Sequence, residues 1–170
     1  MALVTTSDFV GKWAISKSFN QDNTTLQTYI DTYENKYMSE LLGAELYVLF
    51  TAGIAATNPI YEALRDAFNL DIDGSYSKGN RVVISQGVIF MLKCVIYAHY
   101  QRQDLGISTS LGHVNADVEG GKPTNDNKTA VFSMYNEGIK TYKAIQCYIN
   151  ENISDYEDFN GIEKGYSWLI

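Results

Sequence analysis

The side chains in this 170-residue chain best suited to acid–base or nucleophilic work are two histidines and two cysteines. His113 stands in a polar, glycine-containing stretch where its ring is free to exchange a proton, yet no cysteine or paired acid lies near it in sequence. His99 falls between Tyr97 and Tyr100 in an apolar run and reads as a hydrogen-bonded residue at the edge of a core. Cys94 and Cys147 occupy apolar helical patterns, where a free thiol behaves as a small hydrophobe. Two buried free thiols in a reducing compartment are expected, rather than a bridge or a metal pair. A Ser/His/Asp or Cys/His triad gathered from distant parts of the chain stays open, but no local signature points to one.

Metal and phosphate chemistry have one weak candidate each. Asn69-Leu70-Asp71-Ile72-Asp73-Gly74 places oxygen donors at alternate positions before a glycine, as a calcium loop does. The first anchor is Asn69, and Asn80 stands where a bidentate Glu is required, so an Asx-rich turn between helices is the better reading. Gly120-Gly121-Lys122 resembles a phosphate loop only superficially: Ala116 replaces the first glycine and Pro123 the hydroxyl residue. Asp155, Glu157 and Asp158 read as a solvated acidic surface. No cofactor and no metal are expected, and a non-enzymatic role is the leading expectation.

The bulk composition narrows the partners. Thirteen basic residues face 20 acidic ones, for a net charge of −7, which disfavours tight general binding to phosphate backbones. Forty-five per cent of residues are apolar, enough for a core without metals or disulfides. Thirteen tyrosines lean toward half-buried positions and protein interfaces. No signal-peptide pattern opens the chain. The most apolar stretch, Val82 to Tyr100, is broken by Ser85, Gln86, Lys93 and His99, so it reads as a buried helix rather than a membrane span.

The elements that would position these residues are helical. Ser7 is expected to cap a short helix over Asp8–Trp13. Leu26, Tyr29, Ile30, Tyr33, Tyr37 and Leu41 recur at helical spacing, predicting a helix from residue 23 or 24 to Leu42, closed by Gly43. A second helix runs from Ala44 to about Thr51. Asn58-Pro59 starts a third, with Ile60, Leu64, Ala67 and Phe68 inward. A fourth, from Arg81 to Gln103, is apolar nearly all round and belongs at the centre. Thr129 opens a fifth, with Val131, Met134, Tyr135, Gly138, Tyr142, Ile145 and Ile149 on one face. The expected fold is mainly α, a bundle of about five helices. A long loop, residues 107–128, separates the last two long helices, and the alternation from His113 to Val118 permits a short hairpin within 107–120. Residues 1–155 read as one helical domain, and 156–170 as an extended C-terminal docking tail. Its Tyr166, Trp168, Leu169 and Ile170 either fold back on their own core or anchor on a neighbouring subunit.

Several segments together resemble a known family. Leu26-Gln27-Thr28-Tyr29-Ile30, Tyr33-Glu34-Asn35-Lys36-Tyr37 and Leu41-Leu42-Gly43-Ala44-Glu45-Leu46-Tyr47 are similar to the opening helices of small neck proteins of tailed bacteriophages. So is Cys147-Tyr148-Ile149-Asn150-Glu151-Asn152 followed by an acidic tail. The resemblance spans most of the chain without a catalytic motif. It is nearest to neck-like proteins of phages of Bacteroides-type bacteria and to the helical head–tail connector (adaptor) class.

The resemblance implies a virion protein assembled in the host cytoplasm, forming a ring, usually of twelve copies, beneath the portal. Its partners would be itself, the portal and the next neck or tail protein, with DNA passing through the lumen unread and no membrane contact. The segments Ile107–Thr124 and Tyr156–Ile170 would carry the contacts, although the family supplies no residue-level motif there. The interface residues expected on this reading are His113, Val114, Val118, Tyr156, Phe159, Tyr166, Trp168, Leu169 and Ile170. An acidic lumen involving some of Asp71, Asp73, Asp117 and Glu119 would let DNA slide. A monomeric binding module and a small helical enzyme with a non-local site are the alternatives from other classes.

Overall fold

The computed structural model describes residues 2–15, 23–72, 81–104, 108–109, 112–113 and 126–165. The protein is mainly α, with five α-helices among these residues. Helix α1 (Asn23–Leu42) follows the predicted spacing, burying Leu26, Ile30, Tyr37 and Leu41 on one face. Gly43, at φ 86°, ends it, and α2 (Ala44–Ala55) leaves at 111° to α1. α3 (Pro59–Arg65) begins as its sequence dictates: the Asn58 side chain accepts a hydrogen bond from the Ile60 amide (3.1 Å), with proline in the first turn.

Here the structure departs from expectation. α3 stops at Arg65, and Phe68–Ile72 forms strand β1, paired antiparallel with β2 (Arg81–Ser85); helix α4 starts only at Gly87 and runs to Asp104. The run Val82-Val83-Ile84 is β-branched throughout, which stiffens χ1 and suits a pleated surface better than a helix. In β1, Phe68, Leu70 and Ile72 turn inward while Asn69 and Asp71 face solvent. Asn69 and Asp71, two of the alternate oxygen donors that imitated a calcium loop, lie on the outward face of a strand. Ile60, expected inside, is exposed, as is Ala67.

α4 is the central helix, burying Val88, Met91, Leu92, Cys94, Val95, Ile96 and Tyr100 against α5 (Asp126–Glu151), α1 and α3. The α5 face buries Val131, Gly138, Ile139, Tyr142, Ile145 and Ile149. Between α4 and α5, β3 (Ser108–Thr109) pairs antiparallel with β4 (Gly112–His113). Near the N-terminus, two short 3-10 turns (Thr6–Asp8 and Gly11–Trp13) replace the expected single helix, and Thr5 rather than Ser7 is the cap. The N-terminal segment is held to α1 by Glu34, whose carboxylate accepts hydrogen bonds from the Leu3 and Val4 amides at 3.0–3.2 Å. No single helix among the described residues is long and apolar enough to cross a membrane.

Candidate docking groove

The chain beyond α5 does not hang free at residue 156. Tyr156 is 2% exposed, its ring set beside Tyr61 and Tyr148 and its hydroxyl donating to the Ile60 carbonyl at 2.7 Å. The chain then straps back across the end of α1. The Asn160 amide donates to Leu42 O (3.1 Å) and the Ile162 amide to Glu40 O (2.6 Å). From α5, the Tyr142 hydroxyl reaches Glu40 O (2.7 Å) and Ile162 O (2.5 Å), and the Gln146 amide donates to Ile162 O (3.1 Å). The strap thereby satisfies the orphan carbonyls that every helix C-terminus exposes. Gly161 is required at its crossing, because a Cβ there would collide with Leu41 O and lie 2.7 Å from the Phe159 ring. Lys164 completes the strap with an ion pair to Glu40 (2.5 Å) and its ammonium 4.6 Å from the Tyr37 ring centre.

These contacts correct two expectations. Tyr156 is a core residue and cannot anchor a neighbour, and Phe159 packs half-buried on its own core. The packed domain therefore continues through the strap rather than ending at residue 155. The backbone of His113 lies in β4 opposite Ser108. Val114, Val118, Tyr166, Trp168, Leu169 and Ile170 lie outside the described residues, as do Asp73, Asp117 and Glu119. Asp71 is exposed on β1.

The strap and the hairpin flank a stripe of α5 made of exposed Lys140, Lys143 and Asn150, half-buried Cys147 and buried Ala144, at helical spacing. Two clefts lie over it. One, about 530 Å³, is bounded by Val82, Val83 and Ile84 of β2 and by Lys140, Lys143, Ala144 and Cys147. The other, about 490 Å³, is bounded by Lys143, Gln146, Cys147 and Asn150 and by Phe159, Gly161 and Glu163 of the strap. They share Lys143 and Cys147 and so form one groove. Its hairpin wall is apolar: Val82 and Ile84 are each 58% exposed. Sequence reasoning missed this groove because residues 81–85 were read as helix. The β-branched run was the signal that could have revealed it.

The residues with chemical potential are occupied structurally. His99 stacks on Tyr33 (ring centres 4.1 Å apart), with Nε2 2.8 Å from the Tyr37 hydroxyl, which lies 3.5 Å from that of Tyr135. This is the hydrogen-bonded boundary histidine expected from sequence. Burial, reinforced by the positive charges of Lys36, Arg102 and Lys164, pushes its imidazole down to about 4. The folded state therefore binds fewer protons than the unfolded state between about pH 4 and 6.5, and stability from this site falls as pH drops through that window. Burial raises Glu34, which acts in the opposite sense just above pH 4.5. Urea midpoints at pH 7 and pH 5 should thus fall less in His99→Gln than in the parent chain; an identical fall would contradict the assignment.

Cys94 is buried 3.6 Å from the Met134 sulfur, and burial pushes its thiol up to about 11, so it is protonated at neutral pH. Cys147 is also free but only half-buried, lining the groove. Among the described residues, no three of His, Cys, Asp or Glu converge as metal ligands would. No family model, curated protein or solved structure matches the chain.

Proposed function

We propose that this protein is a structural virion component, a subunit of the head–tail connector ring of a tailed bacteriophage. Its ring sits beneath the portal, links capsid to tail, and is assembled in the host cytoplasm. Its partners are copies of itself, twelve on the family resemblance, together with the portal and the next neck or tail protein.

The observation that carries this reading is the presence of two dissimilar apolar surfaces on one chain. One is the Val82 and Ile84 row that walls the β2–α5 groove. The other is on α2, where Val48 (66% exposed) and Leu49 (42%) point to solvent between buried Leu46 and Phe50. Head-to-tail rings need two different patches per subunit, one for each neighbour, whereas a two-fold dimer needs one self-complementary patch. The mainly α architecture agrees with the connector resemblance, and a net charge of −7 suits a channel that DNA must traverse without sticking.

Electron microscopy of the full-length chain, alone and with a portal protein, tests the reading. Rings with an open centre are expected. Val48→Asp should abolish them while leaving the far-UV circular dichroism unchanged, because that side chain contributes little to the core. Rings that survive Val48→Asp would remove α2 from the interface, and monomers alone in both samples would refute the connector role.

A further inference from the structure

We propose that the β2–α5 groove receives residues 166–170 of a neighbouring copy, added as a strand on the edge of β2 opposite β1. The neighbour itself is supplied by the ring reading above; the site and its occupant come from the following geometry.

Three consecutive β2 residues, Val82, Val83 and Ile84, border the groove. Successive side chains of a strand point to opposite faces, so a cleft touching all three lies along the strand's edge rather than on a face. β1 covers one edge of β2, and among the described residues no strand pairs with the other. Such an edge presents alternate N–H and C=O groups that template an incoming strand. Beside it, exposed Val82 and Ile84 offer an apolar row at a two-residue period.

Tyr166-Ser167-Trp168-Leu169-Ile170 has the matching pattern. Extended, it puts Tyr166, Trp168 and Ile170 on one face, and its five residues span about 17 Å, the length of β2.

The path of the strap says whose groove is filled. It runs antiparallel to α5: Tyr156 lies beside Tyr148, Ile162 beside Tyr142, and Lys164 over Tyr37, whose hydroxyl lies 3.5 Å from that of Tyr135. At Gly165 the chain has therefore already passed its own groove, which spans Lys140 to Asn150. An arm continuing in that direction leaves its own groove behind and is available to the next subunit's.

Two variants of the full-length chain test this by complementation. Ile84→Asp spoils the groove and keeps the arm; Trp168→Ala spoils the arm and keeps the groove. Each should self-associate at least about tenfold more weakly than the parent chain, as loss of an interface anchor does, with an unchanged melting temperature. Mixed one to one, they should form heterodimers through the single intact pair of arm and groove, seen by native mass spectrometry. If both variants assemble like the parent, the groove proposal is overturned and the ring reading stands. If the variants do not cross-complement, or if Trp168→Ala lowers the melting temperature of a monomer, the arm folds on its own chain and the proposal fails. A parent chain that is monomeric at every concentration overturns the proposal and the ring reading together.

Discussion

Replacing Gly87 by alanine is expected to destabilise the protein by about 3 kcal/mol or more. Two terms contribute. Gly87 sits at φ +82°, where an L side chain costs roughly 1–2 kcal/mol against the following carbonyl. A Cβ there would also collide with the Arg65 carbonyl and lie 2.6 Å from that of Asp66, and forced overpacking costs about 1–3 kcal/mol more. Neither obstacle yields easily, because both are backbone at the joint between α3 and β1. The Gly87 amide is itself fixed, donating to the Ser85 hydroxyl at 3.1 Å. This glycine therefore sets how the hairpin leads into the central helix, and with it the wall of the groove. Urea unfolding measures the loss; a change below about 1 kcal/mol, within the range of ordinary substitutions, would contradict the geometry.

Tyr142 carries the second large effect. Its ring is fully buried between α1 and α5, and its one hydroxyl proton is shared between the Glu40 and Ile162 carbonyls. Tyr142→Ala removes a large core ring and is expected to cost about 3–5 kcal/mol. Tyr142→Phe keeps the packing and removes one donor, while the Glu40 carbonyl keeps the Ile162 amide and the Ile162 carbonyl keeps the Gln146 side chain, an expected loss of about 0.5–1.5 kcal/mol. The two variants separate ring from hydroxyl. The Phe variant also makes a local statement: the strap, left with only Gln146 of α5 bonded to the Ile162 carbonyl, should become the first site cut by protease under native conditions. Equal stability of Tyr142→Phe and the parent chain would show that the strap does not depend on this hydroxyl.

The helices were readable where one periodicity dominated. α1 and α5 present apolar residues at three- and four-residue intervals over twenty residues or more, and their faces pack as that spacing requires. The Asn58-Pro59 start was readable because capping is local chemistry. The hairpin was not. Residues 82–100 are apolar apart from Ser85, Gln86, Lys93 and His99, and so nearly continuous an apolar run carries no period by which to tell strand from helix. Only the β-branched cluster and Gly87 marked the change. The groove followed the hairpin into obscurity, since its floor comes from α5 and one of its walls from β2, a segment far earlier in the chain. The strap was hidden for another reason. Tyr156 and Phe159 look like docking anchors in a polar tail, but the orphan carbonyls of α1 that hold the strap become visible only in three dimensions.

On the ring reading proposed above, the architecture divides its labour. The central α4–α5 pair supplies rigidity, the strap fixes the end of α1, and the exposed rows on α2 and β2 remain for neighbours. Stability and assembly then respond to different residues. Gly87 and Tyr142 act on the fold, while Val48, Ile84 and Trp168 act on association.

The most direct test of the connector assignment is the solution mass of the full-length protein, measured by light scattering or native mass spectrometry, alone and mixed with a portal protein. A ring-sized species, or a complex formed only when the portal is present, is the predicted result. A stable monomer, indifferent to concentration and to the portal, would contradict it.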